Sequence, residues 1–204
     1  MPSVKRIRTV ALMPPSERGS VAGAAYALWL PDTPGHGAVV VLHDAGRQAE
    51  AHFDLARAIA GRGLTGLCLD ALGEDPEPVL AAAAMLGPQP IGLWGSGTGG
   101  LLALLAAAQA GARAVVAISP NGRSQPHAQL SALEIPVMLL HPEGDEQVPV
   151  EQSRELARHL SCADSRLIVV PGGFHGSIDY DRELQATSLG FLRHALLGAG
   201  ASPA

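Results

Sequence analysis

Residues 91–106 read IGLWGSGTGGLLALLA and contain, in order, a strand pattern, a glycine-rich turn and a helix pattern. The apolar run from Ile91 to Trp94 is typical of a buried strand, and the alanine- and leucine-rich run from Leu101 is typical of a buried helix. A strand, a sharp turn of small residues and a helix form the setting in which many enzymes expose a nucleophile. A phosphate site is the less favoured interpretation, because no acidic ribose-binding position follows the glycines and no Gly-Lys-Ser/Thr is present.

The tip of such a turn is strained, so the residues two positions before and after it must be very small. At that spacing Ser96 has Trp94 and Thr98 as neighbours, and the indole of Trp94 is too bulky. Gly97 has a glycine on each side at the same spacing. Position 97 is therefore predicted to be the nucleophile position, although glycine has no side chain. Ser96 stays a less favoured candidate that requires a shifted turn.

Outward from this turn, strand patterns alternate with helix patterns along the chain. The valine-rich run Ala38–Leu42 predicts a strand buried on both faces, and 7–13 and 24–30 predict two earlier strands that start the sheet antiparallel. The alternation predicts an α/β fold with a mostly parallel twisted sheet and helices on both faces. Residues 1–198 are expected to form a single domain, followed by a loose tail over 199–204.

These features resemble the α/β-hydrolase superfamily, and most of all its small, lidless members related to dienelactone hydrolase. The resemblance covers nearly the whole chain in element order, and it departs at Gly97, where those enzymes carry serine or cysteine. It implies an α/β-hydrolase fold without a large lid and an enzyme of the carboxylic-ester hydrolase type that needs no cofactor. No histidine pair has a convincing metal-binding spacing, so no metal is expected.

The resemblance also implies an acid and a base that follow two later strands. Asp145 stands three residues before Val148 in the loop after the strand at 136–140, where the family carries its acid. His175 lies among glycines after the strand at 167–170, where the family carries its base. The chain order of turn, acid and histidine agrees with this assignment. A solvated acidic loop is the alternative interpretation of Asp145.

The loop after Ala38–Leu42 is expected to complete the oxyanion hole. By the resemblance, the backbone N–H groups of Ala45 and Thr98 would hold the oxyanion. The family commonly has a glycine or a similar residue after the histidine of this loop, where this chain has Asp44. A carboxylate at this place faces the nucleophile in sites like that of dienelactone hydrolase, so Asp44 is predicted to do the same. An aspartate that bonds its own turn is the alternative.

Three further side chains are predicted to contact the substrate. They are Arg47, Trp94 and Phe174; a surface position for Arg47 and a core position for Trp94 remain the alternatives. The net charge of −5 argues against nucleic acid or an anionic membrane as a partner. A small ester-like molecule is the expected partner, and the oligomeric state stays open. The chain lacks a secretory signal pattern and a long apolar run, so a cytoplasmic location is expected.

Three accounts of Gly97 remain open. In the first, the chain is an inactivated variant of an ester or lactone hydrolase that carries serine or cysteine at position 97. In the second, glycine is natural, and the chain binds ligands without hydrolysis or acts as a cofactor-independent lyase through His175. In the third, Ser96 is the nucleophile. The prediction is a hydrolase of carboxylic esters or lactones with Asp145 and His175 as acid and base.

Overall fold

The computed structural model describes residues 13–33, 35–71, 73–122 and 127–198. These residues form one eight-stranded sheet with strand order β1-β2-β4-β3-β5-β6-β7-β8. The strands are β1 Glu17–Val21, β2 Ala24–Trp29, β3 Ala38–Leu42, β4 Thr65–Asp70, β5 Ile91–Ser96, β6 Ala112–Ile118, β7 Val137–Pro142 and β8 Arg166–Val170. Strand β2 pairs antiparallel with β1 and β4, and all later pairs are parallel.

The described residues form six helices, of which the first five connect parallel strands and the sixth follows β8. They are α1 Phe53–Ala60, α2 Glu77–Met85, α3 Thr98–Ala106, α4 His127–Ala132, α5 Val150–Arg158 and α6 Arg182–Leu197, with short 3-10 turns at Ala49–His52 and Ile178–Tyr180. Asp181 directly precedes α6 and caps it, since its side chain accepts the N–H groups of Glu183 and Leu184. This cap satisfies two of the backbone donors that a helix start leaves free.

Two apolar layers hold the helices against the sheet. On one face, side chains such as Val40, Leu93 and Leu139 pack against helices α2 to α5. On the other face, alternate residues of the same strands, such as Val41 and Met138, pack against α1 and α6. Because both faces are covered, the central strands are apolar at nearly every position, as the valine-rich sequence of β3 indicates.

The mostly parallel sheet with helices on both faces confirms the predicted fold class, and no lid lies over it in the described part of the chain. The predicted antiparallel start is confirmed for β2. Strand β1 was not predicted, because its sequence ERGSV is polar and its residues are mostly exposed at the sheet edge. Of the predicted strand at 7–13, residues 7–12 lie outside the described residues, and Met13 is not in a strand. The predicted tail at 199–204 also lies outside them.

Candidate active site

The turn after β5 carries position 97 at its tip. Gly97 has φ +56° and ψ −122°, a conformation that costs an L-residue free energy but that glycine adopts freely. Its N–H donates to the carbonyl oxygen of Ile118 at 2.8 Å. A β-carbon on Gly95 would come within 2.7 Å of the Gly100 nitrogen, and one on Gly99 within 2.6 Å of the Leu42 carbonyl oxygen. The turn therefore depends on small residues on both sides of its tip.

The Asp44 carboxyl group lies where a side chain at position 97 would be. A β-carbon built on Gly97 would overlap it: the three nearest atoms all belong to Asp44, and even the Asp44 Cβ is only 2.8 Å away. Asp44 Oδ1 accepts the Thr98 N–H at 2.9 Å and the Thr98 hydroxyl at 3.1 Å. Asp44 thus faces residue 97 and fills the space that the glycine leaves.

His175 lies between two carboxylates. Its Nδ1 is 2.8 Å from Asp145 Oδ2, and its Nε2 is 3.3 Å from Asp44 Oδ2. The Asp145 Oδ1 accepts the N–H groups of Gln147 and Val148 at 3.0 and 2.9 Å. The loops after β3, β7 and β8 therefore bring Asp44, Asp145 and His175 together beside the turn after β5.

These contacts set the charges of the site. The hydrogen bond with Asp44 raises the pKa of His175 to about 9; burial opposes this effect, and Asp145 adds to it. Burial alone would raise the pKa of Asp44, but its hydrogen bonds with His175 and Thr98 hold that pKa well below its usual value. Burial alone would likewise raise the pKa of Asp145, but its hydrogen bonds with the Val148 N–H and with His175 lower that pKa. At neutral pH His175 is therefore a cation between two anions, and both of its ring nitrogens donate.

The two backbone donors predicted for the oxyanion hole lie side by side, and both are engaged. The Thr98 N–H is bonded to Asp44 Oδ1, and the Ala45 N–H donates to Thr98 Oγ1 at 2.7 Å. Asp44 Oδ1 therefore occupies the position at which the Thr98 N–H would bind a developing oxyanion.

Two of the predicted site residues point into the interior. Ser96 is 1% exposed, and its hydroxyl donates to Asp179 Oδ2 at 3.0 Å. Trp94 was predicted to be a substrate wall, and this prediction is wrong: its side chain is fully buried and donates to Ser188 Oγ at 3.3 Å. Side chains alternate along β5, so Trp94 points into the layer beneath α1 and α6.

The other predicted substrate contacts lie beside His175. Phe174 directly precedes it, and 65% of its surface is exposed. Arg47 is half-buried, donates to the Tyr180 hydroxyl and lies over the Tyr180 ring at 5.2 Å. Its guanidinium also fills the space in which a side chain at position 176 would lie. Phe174 and Tyr180 therefore offer exposed aromatic surface next to the histidine.

Sequence reasoning missed two polar partners beneath the site. His43 bonds the backbone oxygen of Asp44 and the carboxylate of Asp70, both at 2.8 Å, and so fixes the loop that carries Asp44. Asp179 is buried beside Ser96, and burial raises its pKa to about 6. His43 directly follows a buried strand, which was a usable signal; Asp179 lies in a 3-10 turn, where the sequence gives no such signal.

One cluster elsewhere contains metal-ligating residue types. Ligand atoms of His127, Glu155 and His159 lie within 4.8 Å of one another. The two imidazole rings are stacked 4.2 Å apart at an interplanar angle of 12°. Because ring lone pairs lie in the ring planes, two nearly parallel planes do not converge on one ion. Glu155 is also bonded to Arg158. The cluster as arranged is therefore not a metal centre.

Comparisons with known proteins agree with the fold. A model of the dienelactone hydrolase family matches residues 75–188, a range that contains positions 97, 145 and 175 but not Asp44. No curated protein sequence matches the chain.

Solved structures share the fold at low sequence identity. Est1E from Butyrivibrio proteoclasticus has a TM-score of 0.71 and 17% identity over 90% of this chain and 98% of that one. The dienelactone hydrolase from Anabaena variabilis ATCC 29413 has a TM-score of 0.71 and 20% identity over 88% and 98%. The 2,6-dihydroxy-pseudo-oxynicotine hydrolase has a TM-score of 0.79 and 19% identity over 94% and 71%. Among the described residues, no helix is both long enough and apolar enough to cross a membrane.

Proposed function

Since the chain belongs to the dienelactone hydrolase family and is an enzyme of the carboxylic-ester hydrolase type, we propose that it hydrolyses small carboxylic esters or lactones at the site formed by Asp44, Gly97, Thr98, Asp145 and His175. Gly97 is then the native occupant of the nucleophile position rather than the mark of an inactivated variant. The phenyl ring of Phe174 would contact the substrate beside the reacting carbonyl group. Arg47 would hold Tyr180 in place at the same edge.

One observation carries this proposal: His175 is held by the buried Asp145 on one side, and on its other side it contacts the Asp44 carboxyl group that lies against Gly97. An acid that fixes a histidine in one orientation and stabilises its charged form is the part of a hydrolytic triad that handles protons. The Ala45 N–H would hold the oxyanion after its present acceptor, the Thr98 hydroxyl, rotates away, while the Thr98 N–H keeps Asp44 in position. The complementary fit of Asp44 and Gly97 argues that the site is built around a glycine.

Hydrolysis of a short p-nitrophenyl ester tests the proposal. His175→Ala should lower kcat, the steady-state rate of p-nitrophenolate release, by on the order of a hundredfold to ten-thousandfold, because the base that activates water is lost. His36→Ala is the matched control, since His36 is exposed on a different loop, and it should leave the rate unchanged. A folded parent chain that releases p-nitrophenolate no faster than His175→Ala would contradict the proposal.

Two other outcomes would favour the other functions that the fold allows. Saturable binding of the ester without turnover, with affinity altered by His175→Ala, would indicate a ligand-binding protein. Turnover of a carbonyl compound through proton transfer or decarboxylation, lost in His175→Ala, would indicate a lyase. Either result, combined with absent ester hydrolysis, would replace the hydrolase proposal.

A further inference from the structure

Positions 44 and 97 are in direct contact. Position 97 lacks the expected nucleophilic side chain, and position 44 carries a carboxylate. In the folded chain, the Asp44 carboxyl group occupies the volume of the missing side chain. Glycine at position 97 offers no reactive group, and Asp44 supplies one at the same point in space.

The carboxyl group is also oriented as a nucleophile requires. Its Oδ1 is fixed by the N–H and hydroxyl of Thr98, and its Oδ2 is directed to the proton-carrying Nε2 of His175. The side chain is 15% exposed and so is in contact with solvent. A carboxylate held in this way loses little freedom on reaction, which favours attack on a bound carbonyl group.

We propose that Asp44 is the covalent nucleophile of this chain and that its carboxylate attacks the acyl carbon of the substrate. This inference rests on the proposed hydrolase function. In the first step, an Asp44 oxygen forms a bond to the acyl carbon, the ester C–O bond breaks, and the leaving oxygen takes the Nε2 proton of His175. The products are a mixed anhydride on Asp44, a free alcohol and a neutral histidine.

The second step regenerates the site. Neutral His175 takes a proton from water, the resulting hydroxide attacks the anhydride, and the acid leaves with Asp44 again a carboxylate. The balance is one ester and one water to one acid and one alcohol. The hydrogen bond with the Asp44 carboxylate is the main reason that the pKa of His175 is raised, and the negative charge of that carboxylate adds to it. Acylation removes this charge, so His175 changes from proton donor to proton acceptor between the two steps.

The same chemistry limits the substrates. In the tetrahedral intermediate, the Asp44 carboxylate competes with the ester oxygen as the leaving group, and the weaker base leaves more readily. A simple alkoxide is a much stronger base than a carboxylate, so it departs only with proton donation. Esters whose leaving group is an acidic hydroxyl, such as an aryl alcohol, are therefore the class that this site should cleave best. Alkyl esters of the same acid should be poor substrates.

A burst experiment tests the covalent step. In His175→Ala, p-nitrophenyl acetate should release one p-nitrophenolate per active site and then stall, because p-nitrophenolate leaves without a proton donor but no base activates water. Hydroxylamine added to the stalled protein should yield a hydroxamate located by mass spectrometry in the peptide that contains position 44. The double variant Asp44→Asn with His175→Ala should show neither the burst nor the adduct.

The single variants complete the test. Asp44→Asn keeps the size and the acceptor for Thr98 and should lower kcat/KM on the order of a thousandfold or more while circular dichroism stays that of the parent. Asp54→Asn is the matched control, because this exposed carboxylate lies on α1, and it should retain the burst in the His175→Ala background. Ester turnover that survives Asp44→Asn, with no burst and no adduct, would overturn the inference and leave the hydrolase function standing. No turnover in the parent and no burst in His175→Ala would end both.

Discussion

At position 97 a side chain would have to share its space with Asp44. Glycine avoids this overlap and also adopts the positive φ of the turn without a penalty. The carboxyl group in turn gains three partners: the Thr98 N–H, the Thr98 hydroxyl and His175. The two residues are therefore coupled, and a change at one should alter the effect of a change at the other.

Gly97→Ser should destabilise the protein by about 1–3 kcal/mol, because serine would be strained at this φ and would displace Asp44. The double variant Gly97→Ser with Asp44→Gly removes the overlap and should recover part of that loss, with a coupling free energy of about 0.5–3 kcal/mol. Urea unfolding of the parent, both single variants and the double variant measures this coupling. Additive effects would contradict the contact.

Asp145 and His175 were predicted from the family resemblance, and both follow parallel strands, whose carboxyl ends meet at one edge of the sheet. The same argument placed Asp44 near the turn. It did not predict that the Asp44 carboxyl group would fill the nucleophile's volume, because this depends on a side-chain rotation. Nor did it predict that Trp94 points into the core and away from the substrate. The face to which a strand residue points depends on the strand's register in the folded sheet.

At the scale of the elements, α3 approaches β3 and β5 closely enough to exclude side chains at two glycines. A β-carbon on Gly95 would meet the backbone at Gly99 and Gly100, and one on Gly99 would meet the carbonyl oxygens of Leu42 and His43. Backbone atoms cannot move aside as the end of a flexible side chain can. The close packing of α3 on the sheet therefore fixes the turn from both sides.

Gly95→Ala and Gly99→Ala should each lower the free energy of unfolding by about 1–3 kcal/mol or more, because the added methyl group overpacks this contact. Gly190→Ala is the matched control. Gly190 lies inside α6 with no atom within 4 Å of a built β-carbon, so alanine should stabilise the protein by about 0.5–1 kcal/mol. Chemical denaturation compares the three variants. Equal stabilities for all three would refute the close packing.

Asp181→Ala should remove the two hydrogen bonds that begin α6 and should cost about 1 kcal/mol of stability. Asp181→Asn keeps an oxygen acceptor and should lose less. Thermal unfolding of both variants provides the comparison, and an alanine variant as stable as the parent would show that the cap contributes nothing.

For the whole molecule, the alternation of strand and helix patterns was sufficient to predict the fold class. Burial on both faces leaves a strong apolar signal in the parallel strands, and helices of ordinary length separate them. Strand β1 left no such signal, because an edge strand with polar residues is held by its backbone pairing with β2 rather than by burial. Pairing of this kind cannot be read from hydrophobic periodicity.

The charge of His175 should make the stability of the whole protein depend on pH. Its pKa is about 9 in the folded chain against an ordinary value of 6.5, so the stabilisation is fully present below pH 6.5 and is lost as the pH rises through 9. His175 faces Asp44 and Asp145, with His141 and Asp179 nearby. Burial raises the pKa of Asp179 to about 6 and lowers the pKa of His52 to about 4, and both values lie below this window.

The free energy of unfolding, measured with urea between pH 6.5 and pH 9, should therefore fall as the pH rises. Asp44→Asn removes the largest cause of the raised pKa and should flatten this fall. An unchanged slope in Asp44→Asn would show that the charge pair does not act across the site.

The tight packing around Gly95 and Gly99 fixes the position that the reacting atom must occupy. It does not determine which segment of the chain carries that atom. The volume beside the tip of the turn can be filled by a side chain of the turn itself or by one from the loop after β3. Two substitutions, one at position 44 and one at position 97, would then move the reactive oxygen between the loop and the turn and leave every strand unchanged. A search for active members of such folds should therefore ask which side chain fills that volume, and not only which residue type stands at the tip of the turn.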